Sequence, residues 1–532
     1  MGPGINFHSC DVYSMATLFF MLLFVVPVQR HEQTDILLRG ATVYDGTGLP
    51  GVVRDLAIKG DRIHAIGAGL QAGPNTEVID VNGMIIAPGF IDLHTHSDDD
   101  IVLPRTRNNL NYLTQGVTTI VTGNCGFGPV DVKEYYSKLE RNKPGSNVCH
   151  LMPHNAIRRT VMGNVNRSPS NSELQRMLEL MEQGMKSGAW GLSTGLIYTP
   201  GTYAQLDELC ALAEIAGKHK GIYASHIRNE GSELMTAVEE ALTIGQRAKL
   251  PVHISHLKSS GRTNWGNAGA LLSRLQMARK QQLVTADQYP YIASSTSLQA
   301  TVIPPRFREG TAKEMVARFD HPQQGTAMRE AVRERIKQSD NGRDIRIARY
   351  VPKPSWQGKD LAAIAKAEGK EPLEIVIEIE SQGGAQIVHF SMNEEDMRLI
   401  AKADFVATAS DGSTKLPDDT VPHPRNYGTF SRKIGRYGIE ERMFPLEQAI
   451  RSATGLPSDI LHLKERGYLK AGYYADVVVI DPNEYRDRAT FDKPHQYTTG
   501  VKYLFVNGVA AIEKSQPTGK LSGRVLRMTE AR

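Results

Sequence analysis

Two histidines one residue apart, His94 and His96, close the apolar run FIDL at 90–93. Positions i and i+2 of a strand point to the same side, so both imidazoles are expected to face one place. Four more metal-binding side chains end apolar segments further along: Cys125 in IVTGNCG, His226 in IYASH, His256 in VHISH and Asp411 in VATASDG. Each alone has an ordinary explanation. A strand-end histidine is commonly a hydrogen-bonded structural residue, and Asp411, followed by Gly412 and Ser413, reads as a helix N-cap. Six such groups at five strand ends have no shared structural explanation. A thiol beside imidazoles is a donor set that suits zinc rather than magnesium or calcium. A catalytic zinc keeps one position for water and lowers its pKa to about 7. A carboxylate at the same place can take that proton and return it. His253 lies three residues before His256, so strand alternation predicts that it points to the opposite face and is not a ligand.

Groups that end several strands need a scaffold that brings those ends together. Strands are predicted at 116–124, 191–196, 221–226, 251–256, 284–291, 384–390 and 405–412, after the one that ends at the HTH triplet. Helices are predicted at 173–187 (capped by Ser172 or Asn171), 203–219, 232–248 and 268–281. This α/β alternation implies a parallel sheet with helices outside it. The number of units closes a (β/α)8 TIM-type barrel, whose sites collect residues from the C-terminal ends of strands. No glycine-rich phosphate turn follows a first strand, which argues against an open doubly wound sheet. Residues 293–350, rich in Arg and Glu and carrying Pro304 and Pro305, are expected as an insertion over the barrel mouth. Short strands with turn residues occupy both chain ends, at 36–80 and again at 467–508. Neither set is large enough to fold alone, so they are expected to pair into one small β-sandwich. The predicted division is a leader or disordered N-terminus at 1–34, a β-sandwich from 35–89 and 460–532, and a barrel at 90–459.

Bulk properties exclude other classes. The net charge is +4, from 62 basic and 58 acidic residues. That balance gives no case for a concentrated basic face, so nucleic acid is not an expected partner. The four cysteines form no CxxC pair and no disulfide framework, and Cys149 and Cys210 read as small buried hydrophobes. The apolar run at 15–28 is shorter than the ~20 residues of a membrane span. It has the length of a signal-peptide core, but no Lys or Arg precedes it and no A-x-A site follows. A cytoplasmic and an exported protein both stay open, and no other segment reads as transmembrane. Nothing in the sequence specifies an oligomeric state.

The candidate ligands sit within longer motifs: PGFIDLHTH (88–96), TGNCGFGP (122–129), GLSTGLIYTPG (191–201), SHIRNEG (225–231), ISHLKSSG (254–261), DQYPY (287–291), SDGS (410–413) and HPRNYGTF (423–430). With these the chain resembles the amidohydrolase superfamily and, within it, the N-acyl-D-amino-acid deacylase (D-aminoacylase) family, over about 35–508. The resemblance implies zinc-dependent hydrolysis of the amide bond of a small-molecule N-acyl-D-amino acid, giving a carboxylate and a free D-amino acid. It implies one tightly bound zinc on Cys125, His226 and His256, and a second, weak or empty position at His94 and His96. Asp411 would be the general acid and base. Cys125 stands where many amidohydrolases use a carboxylated lysine, which argues against the alternative of a hydantoinase or dihydroorotase. The other alternative, a catalytically inactive assembly protein on the same fold, is opposed by the presence of all six candidate residues. Tyr198 or a histidine of the HTH pair is expected beside the developing oxyanion. Arg425, Lys258 and Tyr289 are expected to receive the substrate carboxylate. A guanidinium offers it a bidentate fork, and Lys258 lies two residues past His256. Arg425 rests on the resemblance, as does the D-stereochemistry.

Overall fold

The computed structural model describes residues 1–2 and 34–528. The apolar run at 15–28 and Cys10 lie outside these residues. No helix among the described residues is long and apolar enough to cross a membrane.

Eight parallel strands form a barrel: β1 (Phe90–Asp92), β2 (Val117–Thr122), β3 (Asn147–His150, resuming as Met152–Pro153), β4 (Gly191–Gly195), β5 (Ile222–His226), β6 (Val252–Ile254), β7 (Val284–Gln288) and β8 (Val406–Thr408). Neighbours in this order pair in parallel, for example Gly195 with His226 across β4 and β5. The ring closes beyond the last regular pairs, where Asp411 N–H donates to His94 O at 2.8 Å and His96 N–H to Gly412 O at 2.6 Å. Two of the candidate site segments are thus themselves the closure of the barrel. The helices between strands bury one apolar stripe against the sheet. Helix Asn171–Lys186 buries Met177, Met181 and Met185. It is capped by Ser170, in a reciprocal box with Glu173, one residue before the expected cap.

Two segments differ from their sequence reading. β3 is not apparent in the sequence, because Asn147, His150 and Pro153 break its apolar run. The segment at 384–390, expected as a barrel strand, instead forms strand Gln386–His389, antiparallel to Ser294–Ser297 and Ile345–Arg349. Ile387 and Ala385 join a separate buried cluster with Phe319, Val332 and Trp356. The insertion therefore runs from 294 to 389 rather than ending near 350, and it has its own core.

The two chain ends share one nine-stranded sheet. Val477–Ile480 lies antiparallel to Ile85–Pro88, and this seam joins the N-terminal and C-terminal segments. Alternation along the seam gives the sheet two apolar faces. Val477, Val479 and Ile86 enter a core with Leu38 and Phe505. Val478, Ile480, Ile85 and Ala87 join the same buried cluster as the barrel core.

Candidate metal centre

The C-terminal ends of the barrel strands bring the six expected residues to one place. Three of them turn sharply to reach it: Cys125, His256 and Asp411 have φ of 52°, 38° and 49°. Left-handed backbone is uncommon for residues with a side chain and collects at functional sites. The turn after β2 also needs Gly126 (φ 75°), where a Cβ would lie 2.2 Å from Asn155 Oδ1. β6 ends at Ile254, so alternation does not carry through to His256. Contrary to the expectation from alternation, His253 therefore does not point away from the site. Its Nε2 lies 2.8 Å from Asp287 Oδ2, and the same oxygen is 3.3 Å from His94 Nδ1.

Around Cys125 Sγ stand His94 Nε2 at 3.3 Å, His226 Nδ1 at 3.5 Å and His256 Nε2 at 3.7 Å. The last two nitrogens are 2.7 Å apart. Asp411 Oδ1 lies 3.0 Å from His96 Nε2 and 3.4 Å from His94 Nε2. Two donor groups are close enough to share one ion each: His94, Cys125, His256 and Asp411, and also His226, Glu230 and His256. A tetrahedral zinc with the usual bond lengths separates its donors by about 3.3–3.6 Å. The sulfur–nitrogen distances match that spacing, and the close nitrogen pair would open by some tenths of an ångström. Burial lowers the pKa of His94 and of His226, whose rings are therefore neutral and able to donate a lone pair. The residues present fit a borderline divalent ion.

Electrostatics fix the remaining partners. Burial opposes a charge on Asp411, yet Arg425, followed by His94 and His256, holds its carboxyl well below the usual carboxylate range. The Arg425 Nη1 to Asp411 Oδ2 distance is 2.7 Å, and Arg425 Nη2 donates to Ser295 O at 3.3 Å. Arg425, expected to hold substrate, is paired with Asp411 and lies 4.8 Å from the centre of the Tyr289 ring, beside two residues of the cavity lining. Lys258 does line the cavity, but its ammonium donates to Glu230 Oε1 at 2.5 Å and approaches His256 Nδ1 at 2.7 Å. Tyr289 is buried, lines the cavity and has a hydroxyl with no well-formed hydrogen bond. Tyr198 sets its ring 5.0 Å from His226, and its hydroxyl lies 2.9 Å from Thr296 Oγ1.

Two residues absent from the expected set hold the site together. Glu230 Oε1 meets His256 Nδ1 at 2.9 Å and Lys258. Asp287 Oδ1 accepts from the His256 backbone N–H at 2.7 Å. Asp287 is buried and Glu230 partly buried, and the cations and imidazoles beside them keep both carboxyls ionised. Their sequence signal is position alone: Glu230 is four residues past His226 in SHIRNEG, and Asp287 opens DQYPY at the end of β7.

Above these groups lies a cavity of about 600 Å³, walled on one side by the insertion through Ser294, Thr296, Arg308, Arg335 and His389. The relatives of the chain share this architecture. Residues 77–512 match the amidohydrolase family model. The chain is 36% identical to a D-aminoacylase of Alcaligenes xylosoxydans xylosoxydans, over 93% of this chain and 98% of that one. It is 34% identical to an N-acyl-D-glutamate deacylase of the same organism, over 93% and 97%. The crystal structure of N-acyl-D-glutamate deacylase from Bordetella bronchiseptica, complexed with zinc and a phosphonate mimic of the tetrahedral intermediate, superposes with a TM-score of 0.81 at 33% identity, over 93% of this chain and all of that one. With a matched barrel and sheet along nearly the whole length, the chain belongs to the amidohydrolase family, in the branch of the N-acyl-D-amino-acid deacylases.

Proposed function

We propose that the protein hydrolyses the linear amide of N-acyl-D-amino acids to a carboxylate and a free D-amino acid. One observation carries this reading: a charged carboxylate, Asp411, borders a buried thiol–imidazole cluster and lines the cavity above it. Cys125, His226 and His256 would hold one zinc tightly, and His94 and His96 would offer a second, weaker position. Zinc bound there supplies Lewis-acid polarisation of the amide carbonyl and acidifies water. Asp411 takes a proton from the attacking water and returns it to the leaving amine. Arg425 keeps that carboxylate charged and aimed. Tyr198, oriented by Thr296, donates to the developing oxyanion. The free hydroxyl of Tyr289 and the Lys258 ammonium receive the substrate's α-carboxylate.

The test is release of methionine from N-acetyl-D-methionine and from its L enantiomer by the purified protein, with zinc quantified in the same sample. D-selective release with about one zinc per chain is expected. Hydantoin and dihydroorotate are assayed beside them. Turnover of the cyclic amides alone would replace this reading with a cyclic-amide hydrolase.

A further inference from the structure

The cavity over the metal centre contains two arginines with no anionic partner. Arg308 is 3% exposed, donates from Nη2 to Ile197 O at 2.9 Å, and buries an Nε that meets no acceptor. Arg335, half-buried, donates to Thr301 O at 3.1 Å. Neither forms an ion pair with any described carboxylate. The acids that line the cavity are engaged elsewhere, Glu230 by Lys258 and Asp411 by Arg425, and Glu233 is exposed. The third arginine of the lining, Arg228, shows the ordinary arrangement, with Glu240 at 2.8 Å.

A guanidinium does not give up its proton in a protein, so burial leaves Arg308 charged. A buried charge without a counter-ion is costly unless something completes it. Burial first, and then repulsion from Arg335, push the Arg308 pKa down to about 10. An anion arriving between them relieves both effects and finds donors in a fork geometry. In the deacylase reading Lys258 and Tyr289, which also line the cavity, receive the α-carboxylate.

We propose that Arg308 and Arg335 form a second anion subsite, selecting N-acyl amino acids with a negative group beyond the α-carboxylate. That group is a carboxylate, on the amino-acid side chain or at the far end of the acyl group. The proposal rests on the deacylase reading above, and its tests separate the two.

The zinc-loaded full chain is assayed on N-acetyl-D-leucine, N-acetyl-D-glutamate and N-succinyl-D-leucine. One of the two dianions should exceed N-acetyl-D-leucine in kcat/KM by about 10- to 100-fold, the yield of a charge-assisted hydrogen bond. Preference for the glutamate derivative assigns the side chain, and preference for the succinyl derivative assigns the acyl end. In Arg308→Met the ratio of dianion to neutral substrate should fall towards one, while Arg308→Lys keeps part of it. The ratio guards against a general loss of structure. Equal or better turnover of N-acetyl-D-leucine by the wild type, or a ratio unchanged in both Arg308→Met and Arg335→Met, overturns the subsite. If no substrate is hydrolysed the deacylase reading fails, and calorimetric titration with glutarate against butyrate decides the subsite. Tighter glutarate binding that Arg308→Met removes supports it; equal binding of the two overturns it.

Discussion

Cys125 is the residue on which metal retention should depend most, since its sulfur touches three imidazoles. Cys125→Ala should lose its zinc on dialysis with its circular dichroism unchanged, as measured by metal analysis of the dialysed protein. Asp411→Asn should behave in the opposite way, keeping zinc and losing about 10²–10⁴-fold in rate, the usual yield of a proton shuttle. A full rate in that variant would remove Asp411 from the chemistry. Glu230→Gln weakens the grip on the back of His256, and such partners typically cost about 10–100-fold in metal affinity. Chelator competition measures this, and an unchanged affinity would leave Glu230 as a partner of Lys258 only. At this scale the sequence is most legible where a polar side chain ends an apolar run, as the six expected groups do. It is least legible for carboxylates, whose role depends on distant neighbours. Asp287 meets His94, which lies 193 residues earlier in the chain. Arg425 is spoken for by Asp411, which spacing does not reveal.

Single elements were legible when their pattern was long and periodic. The helices and the strands β4 to β7 follow apolar spacing. β3 is short and broken by Asn147, His150 and Pro153, so periodicity misses it. The run at 384–390 carries the same alternation as a barrel strand, but alternation does not say which sheet a strand joins. The helical segment Arg432–Glu440 hides another feature that spacing cannot show. Lys433 is buried there, with Nζ 2.5 Å from Ala401 O and 4.4 Å from the Phe444 ring centre. Desolvation lowers its pKa from 10.5 to about 7. Between those values the unfolded chain holds one more proton than the folded one, so this group's contribution to stability rises with pH. Its penalty is full below about pH 7 and is relieved as pH climbs towards 10.5. Lys433→Met removes the titration. The stability difference between variant and wild type, from urea unfolding, should therefore move in favour of the wild type by about 1.4 kcal/mol per pH unit from pH 7.5 to 10. A difference independent of pH would mean that the ammonium is solvated in the folded protein.

Across the whole molecule, the buried clusters decide what can move separately. The sheet made from both chain ends shares an apolar cluster with the barrel, through Val478, Leu504 and Val506. A polar seam runs alongside, where Asn507 Nδ2 donates to Asn147 Oδ1 at 2.8 Å. The insertion has its own cluster, in which Trp356 stacks on Tyr350 at 5.4 Å, and it supplies one wall of the cavity but none of the metal-binding groups. Sheet and barrel should therefore melt as one unit, while the insertion can loosen first. Leu504→Ala and Trp356→Ala should each cost about 2–5 kcal/mol as cavity-forming changes in a core. They should differ in their consequences. In Leu504→Ala, zinc release and loss of activity should shift to lower temperature together, because the barrel that carries the ligands is weakened. In Trp356→Ala, activity should fail well below the temperature of zinc release, because only the wall bearing Arg308 and Arg335 opens. Activity and retained zinc measured on the same heated samples distinguish the two. Coincident losses in Trp356→Ala would show that the insertion, despite its separate core, is held rigid by the barrel.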